Sequence, residues 1–161
     1  MDSRFNRSDE VARNIAAVRR GWEAFNAKPV TLEGISRGDL AAVFEEFDRG
    51  VVLDVTDLGI PGLGTYRGWR GLRQFWRDWF EVVGDVHTEV LEIRGAGDKV
   101  MSVCRQTGTG MVSGAMVTWQ FANVFTMRDG KVVRMEMYAE AADARRMAGL
   151  EPTAVADSGP R

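Results

Sequence analysis

The alternation of apolar and polar residues in residues 116–138 predicts a β-hairpin. Two apolar-rich runs meet there at Asp129-Gly130, a dipeptide that readily adopts the left-handed backbone of a tight turn. In the first run the apolar residues take every second position, so in a strand they share one face. Asn123 is the polar residue that interrupts this face. A hairpin with one apolar face must be covered by other elements of the fold.

Three stretches upstream of the hairpin have apolar residues at helical spacing. The first follows Ser8 or Asp9, either of which can cap a helix, and it ends before Pro29. The second fits residues 39–48, and the third fits residues 69–83 with a heavily aromatic face. These amphipathic helices are suited to cover the apolar face of the hairpin.

The remaining segments predict further strands and one more helix. The β-branched run at 51–55 favours a short strand, and the glycine-rich segment 56–68 a loop. Residues 86–94 and 99–107 predict two longer strands joined by a hairpin, and 139–148 has the composition of a short C-terminal helix.

The order of these elements predicts an α+β domain with a curved, mostly antiparallel sheet. Three N-terminal helices on one face of such a sheet would leave a conical cleft between the layers. We expect one domain over residues 9–150, because domains of about 100–150 residues are the commonest. Residues 1–8 are predicted to be a flexible N-terminus and residues 151–161 a disordered tail.

Composition and charge restrict the function further. The chain has 161 residues, a net charge of −2, one cysteine and one histidine, His87. We therefore expect no nucleic-acid partner, no metal site based on several imidazoles, and no internal disulfide. No apolar run suits a membrane span or a secretory signal, so we expect a cytoplasmic protein without a membrane partner. No dinucleotide or phosphate-binding motif is present, and no cofactor is expected.

Four segments resemble the SnoaL-like branch of the nuclear-transport-factor-2-like superfamily. They are VRRGWEAFNA at 18–27, GDLAAVFEEFD at 38–48, TYRGWRGLRQFWRDW at 65–79 and FTMRDGKVVRMEMY at 125–138. The resemblance implies a cone-shaped fold that is usually dimeric through its sheet. Relatives include ketosteroid isomerases, polyketide cyclases, limonene epoxide hydrolases, dehydratases and non-catalytic binding or assembly proteins. The fold alone therefore does not identify a reaction.

The resemblance to the isomerases and cyclases implies a general base just after the first strand. The matching residue is Asp57, with Asp54 as the alternative. The isomerases also hold the enolate oxygen with a tyrosine and an acidic residue, whose positions match Gly21 and Asn123 here. The missing tyrosine argues against a steroid isomerase.

The resemblance to the epoxide hydrolases implies an Asp-Arg-Asp site, which this chain does not reproduce. Arg105 matches the arginine, but Thr107 and Met137 stand where the carboxylates should be. Arg105 could instead bind a substrate carboxylate, although an exposed ion pair on the sheet is the favoured alternative.

The other candidates also have structural alternatives. Asp57 could bond to backbone amides of its loop, and Asn123 could be a buried amide with a local partner. Trp22, Trp119 and Phe121 could pack in the core or line a pocket.

Together these patterns predict a cone protein that binds a small apolar molecule of a polyketide, terpenoid or steroid-like kind. Asp57 would be its base if it catalyses cofactor-free isomerisation, cyclisation or dehydration. The ligand would contact Trp22, Arg105, Trp119, Phe121, Asn123 and Met137. The alternative is a non-catalytic ligand-binding or assembly module of the same fold.

A homodimer is expected through the outer face of the sheet. The outward positions of the first hairpin strand form a semi-polar surface that suits a partner sheet: Met116, Thr118, Gln120, Val124 and Thr126.

Overall fold

The structure is a computed structural model that describes residues 3–150, with side chains from residue 7 onward. Its helical elements follow the amphipathic segments of the chain. A one-turn 3₁₀-helix at Thr56–Leu58 follows the first strand. The α-helices are α1 (Ser3–Phe25), α2 (Leu32–Arg37), α3 (Ala41–Phe44), α4 (Gly68–Phe80) and α5 (Ala141–Met147).

Six strands form one sheet in the order β2-β1-β6-β5-β4-β3. Adjacent strands are antiparallel except β1 and β6, which run parallel. The predicted α+β class is therefore confirmed. The strands are β1 (Phe47–Asp54), β2 (Thr65–Arg67), β3 (Val83–Ala96), β4 (Lys99–Gly110), β5 (Met116–Arg128) and β6 (Lys131–Tyr138).

The β5–β6 hairpin turns at the predicted dipeptide. Asp129 and Gly130 have φ angles of 51° and 78°, and positive values at both central residues are what a type I′ turn requires. Beyond the turn the register shifts once, between Thr126 and Met127, and from there Asn123 lies opposite Met137 and Phe125 opposite Met135. These four side chains therefore project from the same face of the sheet.

The two faces of the sheet have separate cores. The inner face packs against α1, α3 and α4 and holds the larger core. The outer face carries a smaller core beneath α5, in which Met101, Val124 and Tyr138 are buried. Val124 is fully buried there, so it does not belong to the exposed outer surface on which the sequence placed it.

Several element boundaries differ from the predicted ones. Helix α1 begins at Ser3, earlier than the predicted caps, and the helix predicted over 39–48 shortens to the four residues of α3. The preceding α2 was not predicted; the Thr31 side chain accepts a hydrogen bond from the Gly34 amide at its start, and Gly38, with φ of 94°, ends it. The predicted loop after β1 contains strand β2. The predicted tail, 151–161, lies outside the described residues.

Within residues 3–150, no helix has the length and apolar character needed to cross a membrane.

Candidate functional site

A cavity of about 290 Å³ lies between the helices and the inner face of the sheet. Ten of the 23 residues that line it are aromatic, and many of these come from the apolar stripes that α1 and α4 turn toward the sheet. The indole and phenyl rings around the cavity include Trp22, Phe25, Trp76 and Trp79 from the helices and Trp119 and Phe121 from β5.

The sheet forms the opposite wall with alternate residues of its strands. Phe121 and Phe125 on β5 and Met135 and Met137 on β6 all line the cavity. Trp22, Trp119, Phe121 and Met137, which the sequence proposed as ligand contacts, thus surround one volume.

The cavity runs along the parallel pair of strands β1 and β6. Glu46 and Val132 line it where these strands begin, and Leu58 and Ala139 line it just beyond their ends. The lining residues therefore extend over the length of the strands and define two ends of the cavity.

Glu46 places a carboxylate at the first end. Its Oε2 accepts a hydrogen bond from Arg20 Nε and its Oε1 from Arg20 Nη2, both at 3.2 Å. The Glu46 side chain is 17% exposed and the Arg20 side chain 57%, so the carboxylate is the more enclosed partner. The backbone of Glu46 is fixed by the Val132 amide, which donates to its carbonyl at 2.9 Å.

Gly21 makes room for this carboxylate on α1. It lines the cavity, and a Cβ added at this position would meet only Glu46 Cγ, at 3.8 Å. Gly21, which the resemblance matches to the tyrosine of the isomerases, has no side chain, and the space beside it is bordered by Glu46.

The second end carries amide and indole groups. Trp79 Nε1 donates to Gln106 Oε1 at 3.1 Å, and Gln106 Nε2 donates to Thr88 Oγ1 at 2.8 Å. Trp79 also packs edge-on against Trp119, with ring centroids 5.5 Å apart. These bonds hold the Gln106 amide against the wall of the cavity.

A buried polar cluster lies on the same inner face, at Ser102, Cys104, Asn123 and the indole of Trp22. Ser102 Oγ accepts from Trp22 Nε1 at 3.3 Å and from Asn123 Nδ2 at 3.0 Å. Cys104, Ser102 and Asn123 have no exposed surface, so they do not reach the cavity. Burial raises the pKa of the Cys104 thiol to about 12.

Asn123 is thus a member of this cluster rather than part of the cavity wall. Its Oδ1 accepts no hydrogen bond from the described residues. The sequence placed Asn123 on the correct face, but Phe121 and Phe125, which flank it on β5, and Met137, opposite it on β6, line the cavity in its place.

Asp54 at the end of β1 and Asp57 just after it lie outside the cavity. Leu53 and Val55 take the buried positions at this end of β1, so Asp54 between them points to the other side. Its carboxylate bonds to Thr56 and Arg134; the Thr56 hydroxyl above all, with Arg134, lowers the pKa of Asp54. Asp57 is exposed on the 3₁₀-helix, whose Leu58 faces the cavity instead.

Arg105 and His87 are also outside. Arg105 projects from the outer face of β4, because Ser102, Cys104 and Gln106 take the inner face, and it pairs with Glu89 at 3.0 Å. The favoured alternative for Arg105, an exposed ion pair, is what the structure shows. His87 is exposed on β3.

Glu46 is the site residue that sequence reasoning missed. The segment VFEEF contains it, but the apolar spacing around it indicated only a helix with a solvated acidic side. Within the described part of the chain, no three His, Cys, Asp or Glu residues are grouped so as to hold a metal ion.

Comparison with known families and structures agrees with this geometry. Residues 30–135 match the family model described as a SnoaL-like domain. No curated protein sequence matches the chain.

Solved structures show the same fold. TerC, crystallised with polyporic acid, is 24% identical with a TM-score of 0.65, over 85% of this chain and 98% of TerC. A protein from Jannaschia sp. CCS1 assigned as a SnoaL-like polyketide cyclase is 20% identical with a TM-score of 0.63, over 88% and 94%. An epoxide hydrolase of the LEH-like type from M. tuberculosis is 20% identical with a TM-score of 0.56, over 86% of each chain.

At these identities the structural matches establish the fold alone. The family match covers more than half of the chain and includes the cavity segments from α3 to β6. The chain therefore belongs to the SnoaL-like family, within the cone fold shared by nuclear-transport-factor-2-like proteins.

Proposed function

We propose that the protein binds a small, mostly apolar molecule of a polyketide, terpenoid or steroid-like kind inside the cone. The observation that carries this proposal is the cavity of about 290 Å³ with an aromatic wall. Its volume is at the small end of the range of about 300–1,000 Å³ typical of ligand sites, so a compact ring system suits it. The crystallisation of TerC with polyporic acid supports an organic ligand in this fold.

Binding is favoured over proton transfer by Asp54 or Asp57, because neither of these carboxylates lines the cavity. A general base must come within hydrogen-bond reach of the proton it removes. Asp57 is exposed outside the wall, and Asp54 is held by Thr56 and Arg134 on the other side of β1. Catalysis by Asp57 would require the 3₁₀-helix to turn this side chain inward, and unchanged turnover of an identified substrate by Asp57→Asn would exclude Asp57 as the base.

The test uses naphthalene as the probe and isothermal titration of protein into probe as the measurement. Wild-type protein is expected to bind naphthalene in a one-to-one complex. Gly21→Phe fills the cavity beside Glu46 and should weaken binding at least ~30-fold, because the ring occupies the ligand volume. Gly21→Ala is the matched control, since its Cβ meets only Glu46 Cγ at 3.8 Å, and it should bind within ~2-fold of wild type.

Circular dichroism shows whether Gly21→Phe is folded. A wild-type protein that does not bind naphthalene, or a folded Gly21→Phe variant that binds it unchanged, would contradict the proposal.

We also propose that the protein forms the homodimer expected from the sequence, through a smaller part of the outer sheet face than the sequence indicated. Helix α5 covers Val124, whereas Met116, Thr118 and Gln120 remain exposed in one protomer. A partner sheet would pack on these three residues. Sedimentation should show a dimer at micromolar concentration that Thr118→Arg dissociates; a wild-type monomer would contradict the proposal.

A further inference from the structure

The cavity is apolar over most of its wall but has one charged end. Among the described residues that line it, only Glu46, Gln106 and Gln120 carry a carboxyl or amide side chain. Gln106 already uses its carbonyl for Trp79 and its amide nitrogen for Thr88. Gln120 is exposed and lies on the outward-facing positions of β5. Glu46 is therefore the charged group that a ligand in the cavity would meet.

The Glu46 carboxylate retains hydrogen-bonding capacity. Each of its oxygens accepts one hydrogen bond from Arg20. A carboxylate offers about four acceptor positions, so each oxygen can accept a second donor from the cavity side. Arg20 does not line the cavity, and its Nε and one terminal nitrogen are directed at Glu46.

The surroundings hold this carboxylate in place. The Val132 amide binds the Glu46 carbonyl at 2.9 Å, and Lys131 Nζ donates to the carbonyl of Glu45. Gly21 leaves open space beside the Glu46 side chain on the cavity wall. A polar group of a ligand can therefore approach Glu46 without displacing a side chain of α1.

From this arrangement we propose that Glu46 selects ligands with a hydroxyl or phenol group at one end of an apolar ring system. This inference rests on the proposed function and adds the class of ligand. The ligand hydroxyl donates a hydrogen bond to the Glu46 carboxylate while the rings pack between the aromatic side chains. Ligands with a carboxylate at that end are disfavoured, because two like charges would lie at hydrogen-bond distance in a largely apolar cavity.

The experiment compares naphthalene, 2-naphthol and 2-naphthoate, which share one ring system. Wild-type protein should bind 2-naphthol about 5–10-fold more tightly than naphthalene, because a hydrogen bond to a charged acceptor outweighs the desolvation of the hydroxyl. It should bind 2-naphthoate at least ~10-fold more weakly than 2-naphthol.

Substitution of Glu46 should remove this preference and leave naphthalene binding. Glu46→Leu keeps the apolar volume without the acceptor, so its affinities for naphthalene and 2-naphthol should agree within ~2-fold. Glu46→Gln keeps a neutral acceptor and should show an intermediate preference. Glu45→Gln is the control, because Glu45 is exposed and does not line the cavity, and it should behave as wild type.

The outcomes separate this inference from the proposed function. Naphthalene binding without a preference for 2-naphthol, or a preference that survives in Glu46→Leu, would overturn the role of Glu46 and leave the cavity as a ligand site. Tightest binding of 2-naphthoate would also overturn it, since Arg20 would then be the group that recognises the ligand. Failure of wild-type protein to bind naphthalene would overturn both.

Discussion

Two polar groups on the inner side of the sheet differ in their access to the cavity. The buried polar cluster of Ser102, Cys104 and Asn123 has no exposed surface, and the Trp22 indole closes it with a hydrogen bond to Ser102. The Glu46 side chain is 17% exposed and lines the cavity, and its carboxylate accepts hydrogen bonds from Arg20. The cluster lies in the middle of strands β4 and β5, whereas Glu46 lies where β1 begins.

The buried cluster and Glu46 together show that a polar residue on the inner face is not by itself part of a binding site. The family resemblance matches Asn123 to an oxyanion-binding residue of the isomerases, yet its amide is directed at Ser102. Its interactions contribute to the stability of the sheet. Glu46, by contrast, lines the cavity, where its side chain is accessible to a ligand. We therefore expect the cluster to govern stability and Glu46 to govern ligand preference.

The largest expected effect is on the reactivity of Cys104. Its side chain is fully buried and its thiol has a pKa of about 12, so little thiolate forms and no reagent reaches it in the folded protein. At pH 8, Ellman's reagent should react at least ~1,000-fold more slowly with native protein than with protein unfolded in urea. Native reactivity within ~10-fold of the unfolded rate would show that the cluster is open to solvent.

The next effect is on stability, and it separates the members of the cluster. Ser102→Ala removes the acceptor of both Trp22 Nε1 and Asn123 Nδ2, so it should lower the free energy of unfolding by about 2–3 kcal/mol. Asn123→Leu also removes Oδ1, which accepts no hydrogen bond from the described residues, and should cost about 1 kcal/mol or less. Urea unfolding measures both values.

The same variants test the division between stability and binding. Both should retain the preference for 2-naphthol over naphthalene, because neither residue lines the cavity. If Ser102→Ala is as stable as wild type and loses the preference for 2-naphthol, the cluster belongs to the binding site. That result would contradict the separate roles of the cluster and Glu46.

The smallest effect concerns a carboxylate outside both groups, Asp54. Its pKa is lowered in the folded protein, so its contribution to stability is present above the unfolded pKa of about 3.9 and is lost as pH falls through the lower folded value. Asp54→Asn should lower the free energy of unfolding by about 1 kcal/mol at pH 7 and by progressively less below pH ~4. A stability difference between Asp54→Asn and wild type that grows toward acid pH would contradict the lowered pKa of Asp54. A change in naphthalene affinity would contradict its position outside the cavity.

The sequence predicted those parts of the fold that depend on local spacing and turn chemistry. The Asp129-Gly130 turn follows from backbone preference, and the aromatic stripe of α4 follows from helical periodicity. The inner face of β5 follows from strict alternation. For the same reason Trp119, Phe121 and Asn123 were correctly predicted to share a face.

The sequence could not predict which of these faces, and which carboxylates, reach the cavity. Both faces of β4 mix apolar and polar residues, and both carry buried side chains because α5 covers part of the outer face, so alternation did not assign Arg105 to a side. The 3₁₀-helix after β1 interrupts the strand period, so the direction of Asp57 could not be inferred from Asp54. Glu46 lines the cavity beside Gly21 of α1, a proximity between residues 25 positions apart that local spacing cannot reveal.

A crystal structure of the protein with 2-naphthol would show directly whether Glu46 binds the hydroxyl group of a ligand in the cavity. We expect the rings of 2-naphthol inside the cavity between the aromatic side chains, with the hydroxyl oxygen within hydrogen-bond distance of a Glu46 carboxylate oxygen and the Ser102–Asn123 hydrogen bond intact. A cavity without 2-naphthol at saturating probe, or a hydroxyl bonded to Asn123 with Glu46 uninvolved, would contradict it.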